Sequence, residues 1–115
     1  MKTTITYSEQ FHAAHQLTWH KGKCSNLHGH TYLVELTLEG DLTSDGIIED
    51  YDRIGELLNS QVLNVLDHSF LNEIISNPTA ELIAAWIFDR LAKSLDGLDQ
   101  VRVWETSNTS AIVRR

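Results

Sequence analysis

Polar and apolar residues alternate with a period of two at the start of the chain. Within residues 2–15 the odd positions form a largely apolar row: Ile5, Tyr7, Phe11 and His15. The even positions form a polar row: Thr4, Thr6, Ser8 and Gln10. Such alternation is typical of a β-strand with one buried face. We therefore predict that His15 points toward the core and that His12 points away from it.

The same alternation returns after a loop predicted over residues 16–27. The even positions again form a row: His28, His30, Tyr32, Val34, Leu36 and Leu38. The odd positions between them are mainly polar, and Gly40 with the polar run 41–46 supplies a turn. The pattern predicts a second strand in which both histidines continue the core-facing row.

The middle of the chain changes to helical spacing. The first predicted helix covers residues 52–66, with Asp52 as its cap. The second begins at Asn77, as N-cap, and Pro78, as the first helical residue, and it ends at 96–97. Its apolar side contains six residues: Leu82, Ile83, Trp86, Ile87, Leu91 and Leu95.

Residues 99–115 return to strand patterning. Val101, Val103 and Glu105 share one face, and Asn108 lies in the turn to a last strand. The resulting order, ββααββ, predicts an α+β fold with an antiparallel four-stranded sheet and two consecutive helices on one face. A length of 115 residues suits a single domain spanning 1–115.

Composition excludes several classes of protein. The net charge of −7 gives no basic face for nucleic acid. No apolar run approaches the ~20 residues of a membrane-spanning helix, and the N-terminus has no signal-like apolar segment. A single cysteine excludes an intrachain disulfide and suits a reducing cytosol. We therefore expect a cytoplasmic protein that binds neither membrane nor nucleic acid.

Histidines are the unusual feature of the composition. The chain has six, and His15, His28 and His30 all fall on predicted core-facing rows of neighbouring strands. Three neutral imidazoles suit Zn²⁺ and leave a fourth position open, as in catalytic zinc sites. The alternatives are that one or two are ordinary buried histidines bonded to backbone, or that the chain has a histidine-rich surface.

Three further positions have polar groups of catalytic type. Cys24 could be a fourth metal ligand, a base or nucleophile activated beside Lys23, or an ordinary loop thiol. Asp67 could hold His68 for proton transfer, although a histidine at a helix end also interacts with the macrodipole. Glu105 extends an apolar row, where its carboxylate needs two N–H donors of a planar ligand or an arginine, such as Arg102 or Arg114.

Motifs along nearly the whole chain resemble the 6-pyruvoyltetrahydropterin synthase family. The matching motifs are Phe11-x-Ala13-Ala14-His15, Cys24-x₃-His28-Gly29-His30, Leu66-Asp67-His68, Asn77-Pro78-Thr79-x-Glu81 and Glu105-Thr106. The resemblance implies a tunnelling fold (T-fold), in which small α+β protomers form a barrel. It also implies a homohexamer with active sites between subunits.

The resemblance also implies roles for individual residues. His15, His28 and His30 would bind Zn²⁺, while Cys24, Asp67 and His68 would transfer protons. Glu105 would anchor the pterin, and Thr79 and Glu81 would lie in its pocket. Lys21 and Lys23 are the nearest candidates to bind a triphosphate.

The three-residue spacer between Cys24 and His28 resembles the carboxy-forming branch of the family, which serves queuosine and 7-deazapurine biosynthesis. That branch converts 7,8-dihydroneopterin triphosphate to 6-carboxy-5,6,7,8-tetrahydropterin with loss of acetaldehyde and triphosphate. Ser25 and Trp104 depart from the usual glycine and lysine, which bears on the shape of the pocket. The alternatives are a pyruvoyl-forming synthase and a non-catalytic zinc protein in which Cys24 is the fourth ligand.

Overall fold

A five-stranded sheet forms the frame of the protein in a computed structural model that describes residues 2–115. Its strands are β1 (Thr3–His15), β2 (His28–Gly40), β3 (Ser69–Phe70), β4 (Leu98–Thr106) and β5 (Thr109–Arg114). Their spatial order is β3-β1-β2-β4-β5. The pairs β1–β2, β2–β4 and β4–β5 are antiparallel, whereas β3 runs parallel to β1.

The four long strands confirm the predicted antiparallel sheet, and the prediction of only four strands is wrong. The short strand β3 pairs with only Ala13 and Ala14 of β1. A two-residue strand has no alternation that a sequence pattern can reveal, because its pairing depends on where the preceding helix ends.

Helices cover the inward face of the sheet. They are α1 (Tyr51–Leu58), a π-helical segment (Asn59–Leu63), α2 (Asn64–Leu66) and α3 (Ala80–Leu91), with two 3₁₀ turns at Lys23–Ser25 and Leu71–Glu73. The even row of β2 from Tyr32 to Leu38 is buried against apolar residues of α1 and α3, such as Ile54, Ile83 and Ile87. Among residues 2–115, no helix is long and apolar enough to cross a membrane.

The N-terminal caps of α1 and α3 differ from the prediction. Asp50, rather than Asp52, caps α1 by accepting the N–H of Asp52 at 2.8 Å. Thr79, rather than Asn77, caps α3, and its hydroxyl accepts the N–H of Leu82 at 3.2 Å. In each case the predicted cap lies two residues from the true one, and capping depends on the extended backbone of the cap residue as well as its side chain.

The second helix is also shorter than predicted, because α3 ends at Leu91 instead of at 96–97. Leu95 is nevertheless buried, and the N–H of Leu98 bonds to its carbonyl at 3.0 Å. The apolar spacing therefore continues through a turn that is no longer α-helical. The carbonyl of Gly97 accepts the N–H of Glu39 at 2.8 Å, which joins this turn to the end of β2.

Candidate metal centre and active site

Three imidazoles converge at the end of the sheet where β1 and β2 meet. The strand register places His15 opposite His28 and Ala13 opposite His30, so all three rings project from the inward face. One ligand atom from each histidine lies within 4.8 Å of the others. His15 is completely buried, whereas His28 and His30 are partly exposed. The predicted parity of all three histidines is confirmed.

Backbone carbonyls determine the tautomers of two of these rings. Nδ1 of His15 lies 2.8 Å from the carbonyl oxygen of Pro78, and Nδ1 of His28 lies 2.7 Å from that of Asn26. A carbonyl oxygen can only accept, so both Nδ1 atoms carry the proton. In the neutral rings both Nε2 atoms are then bare acceptors, and they face each other at 3.0 Å. A cation between them removes the repulsion of the two lone pairs.

His30 contributes a third ring nitrogen to this group. Its Nε2 atom is buried and has no hydrogen-bond partner among the described residues. Burial lowers the pKa of His30, Glu105 opposes this shift, and the other two histidines add to it. The ring is therefore held in its neutral form, which is the form that binds metals.

Glu105 points a carboxylate at the same centre. Its Oε1 atom lies 3.2 Å from Nε2 of His15 and 3.5 Å from Nε2 of His30. The register of β4 with β5 shifts between Trp104 and Thr106, so Glu105 lies at a bulge, a feature that redirects side chains near functional sites. The bulge and the β2–β4 pairing bring this carboxylate to the histidines.

Within residues 2–115, the charged contacts of Glu105 are with His15 and His30 and not with an arginine. The guanidinium of Arg102 instead lies 4.0 Å from the centre of the Trp104 ring, and its Nε donates to Ser110 Oγ at 2.9 Å. Glu105 thus leaves negative charge beside the imidazoles, which further favours a bound cation.

Tyr32 lies beneath the centre and was not singled out by the sequence. Its ring is buried, stacks on Phe11 at 4.9 Å, and lies 5.4 Å from the ring of His30. Burial, reinforced by the charge of Glu105, raises the pKa of Tyr32, so the phenol stays protonated. The inner wall of the centre is therefore aromatic and uncharged.

Cys24 lies in the 3₁₀ turn Lys23–Ser25 that leads into β2. Its carbonyl accepts the N–H of Leu17 at 2.9 Å, and the thiol is half-buried and free. Within residues 2–115, the converging ligand atoms are those of the three histidines and not the Cys24 sulfur. This geometry favours a centre with an open position over a closed one. Lys21 and Lys23, in the same loop, are exposed.

Asp67 and His68 form a hydrogen-bonded pair where α2 ends. Oδ2 of Asp67 lies 2.9 Å from Nδ1 of His68, whose side chain is 78% exposed. The N–H of His12 donates to Oδ1 of Asp67 at 2.9 Å. This bond and the one from His68 lower the pKa of Asp67, so its carboxylate is ionised at neutral pH. His68 therefore pairs with a specific carboxylate and is not solely a helix-end histidine.

Thr79 and Glu81 lie at the start of α3, immediately after the carbonyl that binds His15. The Thr79 hydroxyl is occupied in capping the helix. Glu81 is exposed, and among the described residues it forms no hydrogen bond or ion pair with the three histidines. The structure thus places Thr79 near the centre without bringing Glu81 into it.

Two partners of the centre had no signal in the sequence. Pro78 and Asn26 act through backbone carbonyls, which every residue has, so residue type could not identify them. Metal-bound histidines commonly donate their second nitrogen to such a carbonyl, which fixes the ring orientation. The motif around Pro78 therefore contributes to the centre through its backbone.

Comparisons with known proteins agree with this architecture. Residues 4–115 match the family model described as 6-pyruvoyl tetrahydropterin synthase. The chain is 39% identical over 116 residues to the 6-carboxy-5,6,7,8-tetrahydropterin synthase of Synechocystis sp., covering 93% of this chain and 90% of the relative. It is 37% identical over 108 residues to the dihydroneopterin monophosphate aldolase of Pyrococcus furiosus, covering 91% of each.

A solved structure supports the fold independently of sequence. The 6-pyruvoyl tetrahydropterin synthase of Caenorhabditis elegans superposes with a TM-score of 0.90 at 24% identity, covering 100% of this chain and 96% of that one. The predicted tunnelling fold is therefore confirmed. Because the family model spans almost every residue, the chain belongs to the 6-pyruvoyl tetrahydropterin synthase family.

Proposed function

We propose that the protein is a zinc-dependent carbon–carbon lyase of queuosine or 7-deazapurine biosynthesis. Its reaction converts 7,8-dihydroneopterin triphosphate to 6-carboxy-5,6,7,8-tetrahydropterin, with release of acetaldehyde and triphosphate. The main support is the pair of bare Nε2 atoms of His15 and His28, 3.0 Å apart, which favour a bound cation. The similarity to the Synechocystis enzyme supports the choice of reaction.

Zinc fits the donor set better than a hard cation does. Three neutral imidazoles are preferred ligands of Zn²⁺, and His15, His28 and His30 would hold the ion with a position left for substrate. Bound there, zinc would polarise oxygens of the substrate side chain as a Lewis acid. The protein's side chains would then transfer protons and orient the substrate.

Cys24 and His68 are the proposed proton carriers. A thiol is a suitable base once deprotonated, and its half-buried position in the Lys23–Ser25 turn leaves it accessible. His68 is the second candidate because its Nδ1 lies 2.9 Å from Oδ2 of Asp67, a carboxylate that can orient the ring for proton transfer. Together the two groups would move protons on and off the substrate's carbon chain.

Glu105 is the proposed anchor of the pterin ring, since a carboxylate can accept two parallel N–H bonds from it. Thr79 would lie at the edge of this pocket, next to the Pro78 carbonyl that binds His15. The triphosphate would lie toward the exposed cations Lys21 and Lys23, which share a loop with Cys24.

We also propose that copies of the chain assemble, up to a hexamer, with active sites between them. The support is that β5 and most of β1 lie at sheet edges, where their backbone groups can pair with another strand. Trp19 and Leu27 are also exposed, at 60% and 64%. Light scattering of the purified protein tests this directly, and a monomer at micromolar concentration would reject it.

Product identification tests the reaction itself. The zinc-loaded protein is incubated with 7,8-dihydroneopterin triphosphate, and the pterins and aldehydes are separated and identified by mass. Acetaldehyde with 6-carboxy-tetrahydropterin supports the proposal, whereas a pyruvoyl product without acetaldehyde rejects it. Because the chain is similar to the Pyrococcus furiosus aldolase, the assay also includes dihydroneopterin monophosphate as a separate test substrate. Turnover of the monophosphate alone would indicate an aldolase.

A further inference from the structure

His12 is a histidine that the metal centre does not use. It lies on β1 with its side chain on the outward face, as predicted, and both of its backbone groups bond to the turn after α2. Its N–H donates to Asp67 Oδ1 at 2.9 Å, and its carbonyl accepts the N–H of His68 at 2.6 Å. The backbone of one residue thus holds both members of the Asp67–His68 pair.

The turn needs this support because His68 has a φ of 59°. Residues other than glycine rarely adopt this left-handed conformation, and they keep it only where surrounding bonds enforce it. Asp67 N–H also bonds to the carbonyl of Leu63 at 2.8 Å. The backbone of the pair is therefore fixed. The exposed ring of His68 is held at Nδ1 by Asp67, and a second side chain in contact with the ring would restrain its rotation further.

The side chain of His12 is placed to provide that restraint. Its ring centre lies 5.9 Å from that of His68, with the planes inclined by 67° in an edge contact. Its Nδ1 lies 3.0 Å from the hydroxyl of Thr31, which is directly opposite on β2. Thr31 thus holds the His12 ring, and the His12 ring borders that of His68.

An open cavity of ≈ 500 Å³ lies beside His12 and His68. Its lining includes His12, Thr31, His68 and His30, and it has a floor of small residues at Ala14 and Gly29. A substrate group that enters this cavity would therefore meet the side of the sheet where His12 and His68 lie.

We propose that His12 is a positioning residue for His68. The Thr31 hydroxyl fixes the His12 ring, and the His12 ring keeps that of His68 in the orientation where Nδ1 meets Asp67. The Nε2 atom of His68 is then the nitrogen free to exchange a proton with substrate. This inference rests on the proposed lyase function, in which His68 is a proton carrier.

Steady-state kinetics with matched variants tests the proposal. General acid–base catalysis contributes roughly 10²–10⁴-fold, so loss of its alignment in His12→Ala should lower kcat by about tenfold. Thr31→Val, which replaces the hydroxyl with a methyl group, should also lower kcat. Thr31→Ser, which keeps the hydroxyl, should retain the wild-type kcat. Bound metal and KM should stay within twofold. Gln10→Ala, on the same face of β1, is the control for surface truncation.

A double-mutant comparison separates positioning from a structural effect. If His12 acts through His68, His12→Ala should cause no further loss of kcat in a His68→Ala chain. The same tenfold loss in both backgrounds would overturn the proposal, and so would Thr31→Val and Thr31→Ser chains of equal activity.

NMR gives a measurement that does not depend on turnover. A nuclear Overhauser contact between ring protons of His12 and His68 is expected in the wild-type protein and should be lost in Thr31→Val. Absence of the contact in the wild type would overturn the proposal. If the contact behaves as expected but no pterin is converted, the positioning of His68 stands and the proposed reaction fails.

Discussion

His28→Ala is the most informative perturbation of the metal centre. His28 is partly exposed, and its Nδ1 bonds only to the Asn26 carbonyl, two residues away. His15, by contrast, is completely buried and joins β1 to the start of α3 through Pro78. Truncating His28 therefore removes one proposed ligand with little effect on the fold. We expect the free energy of unfolding of the metal-free protein to change by less than about 1 kcal/mol.

The effect on metal binding should be much larger. Four-ligand structural zinc sites bind with about 10–16 kcal/mol, which divided evenly is roughly 2.5–4 kcal/mol for each ligand. The zinc dissociation constant of His28→Ala should therefore rise by about two to three orders of magnitude, at 1.4 kcal/mol for each factor of ten. The bare Nε2 of His28, facing that of His15 at 3.0 Å, is the group that is lost.

Competition with a chromophoric zinc chelator at pH 7.5 measures this change. His20→Ala is the matched control, because His20 lies in the 16–27 loop and its Nδ1 accepts the N–H of Gly22 at 2.8 Å, away from the centre. Its zinc affinity should equal that of the wild type. Unchanged affinity in His28→Ala would refute the inference that the three imidazoles form one site.

Cys24→Ala, measured in the same assay, separates the two classes of function. The lyase proposal requires retained zinc and lost turnover, because the Cys24 sulfur lies outside the converging set. A zinc affinity that falls as far as in His28→Ala would instead favour a non-catalytic zinc protein with a closed site.

Three other predictions follow from particular contacts. Burial lowers the pKa of His30 below 6.5, so the unfolded chain protonates this histidine more readily than the folded protein does. The stability of the metal-free protein should therefore fall as pH drops below 6.5. In urea unfolding, His30→Gln should show a weaker dependence of stability on pH in this range. Asp67 has a pKa below its ordinary 3.8, so the stability that its carboxylate contributes is present above pH 3.8. That stability is lost as pH falls through the lowered pKa. In an acid titration followed by circular dichroism, Asp67→Asn should lack this loss of stability. A Cβ on Gly55 would lie 2.7 Å from the hydroxyl oxygen of Tyr7, so Gly55→Ala should destabilise the protein by about 1–2 kcal/mol in urea despite better helix propensity. The double variant Gly55→Ala with Tyr7→Phe should recover most of the lost free energy of unfolding. A Gly55→Ala protein more stable than the wild type would contradict the proposed clash with Tyr7.

The sequence by itself determined the long strands and the faces of their side chains. Alternation placed His15, His28 and His30 on inward rows because burial of one face fixes the parity of a whole strand. It also placed His12 outward, where the structure has it. Helical spacing located α1 and α3, although capping depended on backbone conformation and moved their first residues.

Only the tertiary structure decided how these groups are held together. The carbonyls of Pro78 and Asn26 fix the histidine tautomers, and a bulge in β4 brings Glu105 to the centre. The left-handed turn at His68 likewise depends on the bond from its N–H to the carbonyl of His12 on β1, 56 positions earlier in the chain. Strand register and the path of the chain determine which backbone groups become partners. Because backbone groups are the same in every residue, these partners leave no pattern in the sequence.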